Sequence, residues 1–422
     1  MAYLRLAAAS AWNRRGTLAL IVVAIALSVA MLLGVQRAKN AAREAFELSV
    51  SGTDLVVGAR TSPVQLMLYA VFRLGEATHN IKWSSYQAVA ALPEVEWAVP
   101  LSLGDSHRGF AVLATTPAYF ERFRYGYKRP LALTGGRGFT GMLDGLYEVV
   151  IGAEVARTLG YDNGSRITLR HGTSAQGTDH ADKPFTVVGV LAPTGTPVDR
   201  TVHISLQGME AIHLDWQGGA PMPGMKIPPE LARKFDLQPK AITAALVGLK
   251  SRAMVFRAQR SIHDFTGEPL LAVLPGVALD QLWQVVGVVE RSLQAVSWLV
   301  VAIGVAGLVA VVLAGLNERR RELAILRSVG CGPWQIAGLL ILESTLATMA
   351  GIVAGIALVG TALAAANPWL ESAFGLPLRL GLPQASEWLL VLAVLVAGAL
   401  AGALPAWRAA RLSLADGLSP RI

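Results

Sequence analysis

The sequence predicts an α-helical membrane protein with four transmembrane helices plus a large α+β extracytoplasmic domain inserted between helices 1 and 2. Three observations carry this. Four stretches, 17–35, 292–316, 331–366 and 388–407, are apolar over the roughly 20 residues that a bilayer crossing takes. Of the 422 residues, 53% are hydrophobic and only 16% charged, with ordinary aromatic content; that aliphatic excess belongs to a membrane chain with a sizeable folded part outside the bilayer. Finally, Lys and Arg gather in three short segments, whereas 36–291 is nearly balanced, with 26 Lys/Arg against 23 Asp/Glu.

The elements follow in order. Residues 1–16 are rich in Ala and Leu, with Trp12 beside Arg14 and Arg15, and read as an amphipathic helix on the cytoplasmic surface. Segment 17–35 carries no charge. A cleaved signal peptide would want a small-residue site after its apolar core; none follows Leu33, so the segment is read as an anchored helix. Segment 292–316 is the second span. The third apolar run, 331–366, is too long for one upright crossing. Its first part, 333–341, is read as a helix near the interface that continues into a span at 336–366. Residues 388–407 form the fourth span.

Lys/Arg placement sets the orientation. Arg5, Arg14 and Arg15 precede the first span; Arg319, Arg320, Arg321 and Arg327 fill the connector 317–335; Arg408, Arg411 and Arg421 follow the last span. The loop 367–387 has only Arg379. Both termini (1–16 and 408–422) and the 317–335 connector are therefore expected in the cytoplasm, with 36–291 and 367–387 outside. Most of the net charge of +8 is then topological, which argues against a nucleic-acid partner. The one cysteine, Cys331, excludes an intrachain disulfide framework.

In the outer domain, strands are expected at 53–59, 95–99, 109–115, 147–151, 166–169, 185–191, 201–205, 241–249 and 270–273. Helices are expected at 84–92, 117–123, 153–159, 251–261 and 277–290. A Pro/Gly-rich linker occupies 217–229. Residues 36–47 and 277–291 are helix-friendly and adjoin spans 1 and 2, so both are expected to extend outward as stalks.

Four constellations are candidate sites. The run Glu318–Glu322 (ERRRE) is the densest charge cluster in the chain and is followed by a Gly-Cys-Gly-Pro break. Arginines there stop transfer into the membrane and, on a second reading, form a docking surface. Glu343 lies inside an apolar run; it is either an intramembrane functional carboxylate or a group satisfied near the interface. The stretch 61–75, TSPVQLMLYAVFRLG, is apolar on nearly all sides; Leu66, Met67, Tyr69 and Phe72 form either a core helix or a substrate- or partner-facing surface that touches lipid. The loop HGTSAQGTDHADKPF collects His171, Asp179, His180 and Asp182, which are zinc-ligand types at loose spacing, or merely a solvated loop. No Walker A motif occurs, nor a nucleophile elbow or zinc-protease motif, so an anchored periplasmic enzyme is disfavoured and no ATP is expected on this chain itself.

The layout of one span, a large outer domain and three spans resembles the MacB/FtsX-like permease family, the transmembrane subunits of type VII ABC transporters. ERRRELAILRSVGCGPWQIAGLLILESTLATMAGIVAG is similar to the family's basic run, AILRxxG and short helix. PAWRAARLSLADGL is similar to its closing pattern, and VVIGAEVARTLGYDNGSRITL and FTVVGVLAPTGTPVDRTVHISL to its periplasmic domain. The resemblance implies a porter-like half at 36–115 and 230–291 with a β-rich insert at 116–229. It implies a homodimer of non-catalytic permeases in the bacterial inner membrane, working with a separate cytoplasmic ATPase that holds the ATP and magnesium, and with a periplasmic or outer-membrane partner. The ATPase-coupling residues would be Arg319, Arg320, Arg321, Glu322, Arg327, Gly330 and Gln335. A lipoprotein, amphiphile or peptide would be the cargo; a non-transporting regulator of a periplasmic partner is the alternative.

Overall fold

The computed structural model describes residues 15–411 apart from 76, 142, 173–176, 218–219, 223, 225, 319–324, 326, 375–380 and 382. Its backbone divides into a helical unit (up to Ala41, Val286–Trp369 and from Leu378 on) and an α/β unit (Ala42–Val285 with Leu370–Pro377).

The α/β unit is built on one sheet. Its main strands are β1 (Leu55–Ala59), β2 (Val95–His107), β3 (Phe110–Thr115), β4 (Leu133–Gly136), β5 (Glu148–Ile151), β6 (Phe185–Leu191), β7 (Thr201–Ser205), β8 (Ala244–Leu249) and β9 (Leu270–Val273). They lie in the order β9-β1-β8-β2-β3-β7-β5-β6-β4, with two-residue strands Arg170–His171 on β2 and Arg166–Ile167 on β6. The β3–β7 and β5–β6 pairs are parallel and the others antiparallel. The strands are nearly continuous apolar runs such as LVVGA and AALVGL because both faces of the sheet are covered. Leu55, Val57 and Ala59 enter one core with Val112, Val149 and Val247; Val56 enters the other with Leu113, Val150 and Leu246. This is the two-residue period of a strand read twice.

The 13-residue β2 is longer than the expected 95–99 and holds the sheet together. Its first part pairs with β8, and its last residues pair with β3 and with Arg170–His171. Arg108 and Gly109, both at positive φ, turn β2 into β3, the backbone sign that a two-residue type I′ hairpin requires. Helices α3 (Trp83–Ala90), α4 (Ala153–Leu159), α5 (Leu206–His213) and α6 (Val255–His263) supply Val89, Val155, Ile212 and Ile262 to the first core. Helix α2 (Pro63–Ala70) supplies Leu66, Met67, Tyr69 and Ala70 to the second.

That position corrects the exposed reading of the 61–75 stretch. Leu66, Met67, Tyr69 and Phe72 are buried inside the unit and do not form a substrate or partner face. The helix is apolar all round because it is enclosed, with Pro63 at its first turn.

The helical unit contains the four helices among the described residues that are long and apolar enough to cross a membrane. They lie within α1 (Arg15–Leu48), α7 (Pro275–Glu318), α8 (Pro333–Phe374) and α9 (Ala385–Arg411). The two expected stalks are real extensions: residues 36–47 continue α1 and 277–291 continue α7 without a break. Segments 333–341 and 336–366 likewise form one helix.

Packing between spans depends on small residues, since lipid removes most of the apolar driving force between helices. A Cβ on Gly351 would lie 2.7 Å from Ile25 Cβ, and one on Gly355 2.8 Å from Val29 Cβ, so α8 meets α1 through a GxxxG face. A second such face, Gly398 and Gly402 on α9, rests on Thr348 and Ser344; a Cβ at Gly402 would lie 1.9 Å from Ser344 Oγ. Ser344 and Thr348 are buried, and their hydroxyls donate to the Ile341 and Ser344 carbonyls of their own helix. At one end of this unit Glu387, 1% exposed, accepts from Arg37 Nε and Nη2 at 3.2–3.3 Å and from the Gln384 N–H at 3.1 Å. Lys39 of α1 also pairs with Glu290 of α7.

Candidate functional site

Two places carry chemistry beyond packing. The first is the connector between α7 and α8. Arg319, Arg320, Arg321 and Glu322 lie outside the described residues. Beyond them the chain is helical around Arg327; the Val329 N–H donates to the Ile325 carbonyl and the Gly330 N–H to the Arg327 carbonyl. Gly330 has φ 97°, a left-handed position that ends the turn at little cost for glycine only. Pro333 then opens α8, and Gln335 Oε1 accepts from the Gly332 N–H at 2.9 Å, half of a capping box. Gln335 therefore has a defined structural job at the start of α8.

Among the described residues, the exposed side chains around this break are mostly apolar. Trp334 is 84% exposed and Val329 80%, with Ile325 beside them in sequence at 60%. An exposed Trp in a segment that also carries Arg327 has the composition of an interface anchor. The sequence reading centred on the arginines and passed over these three. Glu343 lies ten residues along α8, about 15 Å from Pro333, and is half-buried.

The second place is in the α/β unit. Asp105 near the end of β2, His171 on the strand paired with it, His180 in the following segment and His213 at the end of α5 turn ligand-type atoms toward one point, all within 4.8 Å of one another. His171 stands opposite Asp105 in the strand register. Its Nδ1 lies 3.3 Å from Asp105 Oδ1 and 2.9 Å from His213 Nε2. His213 Nε2 is 3.6 Å from Asp105 Oδ1, and His180 Nε2 is 3.7 Å from Asp105 Oδ2. Trp216 packs against His180 and His171 with tilted rings, the centroids 4.4 and 4.9 Å away. A fully buried Lys183, paired with buried Asp215, fixes the segment of His180 to that of Trp216.

Electrostatics differ among the histidines. Burial pushes His180 down to about 4, so its imidazole is neutral at neutral pH; the hydrogen bond that His171 donates to Asp105 pushes His171 up. The His213 Nδ1–H donates to the Met209 carbonyl at 2.8 Å, leaving Nε2 with its lone pair toward the cluster.

This geometry corrects half of the loop reading. Asp179 is exposed and bound to Arg170 Nε at 2.7 Å. Asp182 faces Lys183 Nζ at 3.5 Å. Neither belongs with His171 and His180. Asp105 and His213 take their places because strand pairing and α5 bring distant residues to the loop.

Comparison with known proteins agrees with this layout. The model for the FtsX-like permease C-terminal matches residues 295–414, and the model for the MacB-like periplasmic core domain matches 16–259. The lipoprotein-releasing system transmembrane protein LolC of Neisseria meningitidis serogroup B is 22% identical over 278 residues, covering 64% of this chain and 61% of LolC. Among solved structures, the periplasmic region of MacB from Actinobacillus actinomycetemcomitans aligns at TM-score 0.34 and 12% identity, covering 57% of this chain and 94% of that one. The extracellular domain of the transporter YknZ from Gram-positive bacteria aligns at TM-score 0.31 and 13% identity, covering 53% and 98%. With the core-domain model alone spanning more than half of its length, the chain belongs to the family of MacB- and FtsX-like permeases.

Proposed function

We propose that this permease turns ATP binding and hydrolysis by a separate cytoplasmic ATPase into movement of its outer domain. The domain would extract a lipid-modified or amphiphilic substrate from the outer leaflet or periplasm. The observation that supports this best is the continuity of α1 and α7. Both run unbroken, over 34 and 44 residues, from an apolar span into the segment joined to the α/β unit. At 1.5 Å per residue they are about 51 and 66 Å long, well beyond a hydrocarbon core of roughly 30 Å.

In this reading the ATPase docks on the connector through Ile325, Arg327, Val329 and Trp334, with Arg319, Arg320, Arg321 and Glu322 adding charge. The permease acts as a homodimer with both termini in the cytoplasm. ATP and magnesium stay on the partner. Lipoprotein is the first cargo to test because LolC, whose name states lipoprotein release, is similar over most of this chain. Replacing Ala41–Ala42 with a flexible Gly-Ser insert breaks α1 and is expected to abolish cargo release while ATP hydrolysis in the complex persists. Release at the wild-type rate from that variant refutes transmission through the helix. Wild-type ATPase coupling with no release of any lipid-modified or amphiphilic cargo favours a signalling role instead.

A further inference from the structure

The geometry points to a zinc site in the outer domain, built from Asp105, His171, His180 and His213. The proposal does not depend on the identity of the transported cargo. Four-coordinate zinc with nitrogen and oxygen ligands at 2.0–2.1 Å requires ligand atoms about 3.3 Å apart. The separations among His171 Nδ1, His213 Nε2 and Asp105 Oδ1, 2.9, 3.3 and 3.6 Å, bracket that edge length, and His180 Nε2 stands 3.7 Å from the other carboxylate oxygen, Asp105 Oδ2. One ligand-type atom from each of four chain segments lies within 4.8 Å of the other three, so modest side-chain shifts bring the set to a tetrahedron's dimensions.

The hydrogen bonding is that of ligands. His180 has no exposed side-chain surface, yet among the described residues neither of its ring nitrogens has a hydrogen-bond partner, and the same holds for Asp105 Oδ2. Buried polar atoms without partners are costly, and one proton shared between His171 and His213 would still leave these three unsatisfied. A divalent cation satisfies His180 Nε2 and Asp105 Oδ2 together. His213 carries the outer-shell bond that fixes a metal-ligating tautomer, its far nitrogen donating to a backbone carbonyl. Three imidazoles and one carboxylate, without thiolate, suit zinc better than copper(I), calcium or magnesium. The Trp216 ring over His171 and His180 limits access of water on that side. A bound ion would tie β2, the strand of His171, the segment of His180 and the end of α5 to one point.

The test uses the full-length protein in detergent. After metal stripping and dialysis against micromolar zinc, one zinc per chain is expected by elemental analysis. Cobalt(II) in place of zinc should give the intense visible bands of a tetrahedral site. His213→Gln and Asp105→Asn should each weaken zinc binding by on the order of 100-fold or more, since even outer-shell changes cost 10–100-fold. Asp179→Asn, at the exposed aspartate paired with Arg170, should bind as the wild type does. Zinc should also raise the melting temperature of the wild type and Asp179→Asn, but not of His213→Gln. Circular dichroism of the stripped variants separates lost binding from lost folding; if either variant unfolds, His171→Gln is used, and its retained affinity overturns the proposal. Less than a tenth of an equivalent of zinc on the wild type, or equal affinity in a folded His213→Gln variant, also overturns it.

Discussion

Replacing Arg37 by Met probes the helical unit at its most exacting point. Glu387 is almost fully enclosed, and among the described residues it accepts three hydrogen bonds from Arg37 and one from the Gln384 N–H. At a heavy-atom separation near 3.2 Å the attraction is about 5 kcal/mol for an effective dielectric of 20. Removing one partner of such a pair typically costs about 3–5 kcal/mol, because the remaining charge stays buried and uncompensated. Arg37→Met is expected near the upper end of that range, since among the described residues it leaves the carboxylate with the Gln384 N–H as its donor. Glu387→Gln should cost less, because the amide still accepts from the guanidinium. The double variant Arg37→Met/Glu387→Gln should be more stable than the sum of the singles implies, by about 2 kcal/mol. Unfolding by SDS in mixed micelles, followed by tryptophan fluorescence, measures all three. Losses below about 0.5 kcal/mol in both singles refute the view that this pair holds one end of the unit together.

Two further outcomes are expected. Gly402→Val places a branched side chain where even a Cβ would meet Ser344 Oγ at 1.9 Å, so α8 and α9 should separate at a cost of at least about 1–3 kcal/mol; Ser344→Ala should recover part of it, and full stability of Gly402→Val would contradict the packing. His203 is enclosed beside Tyr119 and Phe120, and burial, with Arg73 nearby, pushes it down to about 3. The unfolded chain therefore binds this proton first as pH falls, and stability contributed by neutral His203 is complete above about pH 6.5 and lost at about 1.4 kcal/mol per unit below it, toward pH 3. Acid denaturation of His203→Gln should lack that slope; an unchanged profile assigns it elsewhere.

Much of the fold was legible because its signals are local. Apolar length located the four spans, and the strands at 185–191, 201–205 and 270–273 have the expected ends. Harder were elements whose reason lies far away in the chain. Leu206–His213 carries Ser205 as an N-cap, accepting from the Gly208 N–H, and buries Leu206, Met209 and Ile212 at helical spacing. That pattern was readable, but Gly208 and the helix's eight residues mask it. Because this helix went unread, His213 had no place near His171. Asp105 was missed because β2 continues past Val99 through the polar residues Ser102, Gly104 and Ser106, held there by β3 and by the strand of His171. The local loop supplied two histidines that lie in the cluster and two aspartates that lie outside it, because spacing in sequence cannot reveal which side chains a sheet brings together. The 61–75 stretch failed differently: an all-apolar helix looks the same in sequence whether a core or a partner encloses it.

The proposed coupling to a separate ATPase through residues 325–335 is tested most directly by reconstituting the permease with a candidate ATPase subunit and measuring both complex formation and ATP turnover. The wild type should bind the ATPase stably and change its turnover. Trp334→Glu should weaken the complex by about 2 kcal/mol, near 30-fold, as loss of an interface anchor does, while the purified permease keeps its melting temperature. An ATPase that binds Trp334→Glu and Arg327→Glu as tightly as the wild type, with the same turnover, would contradict the connector as the point of coupling.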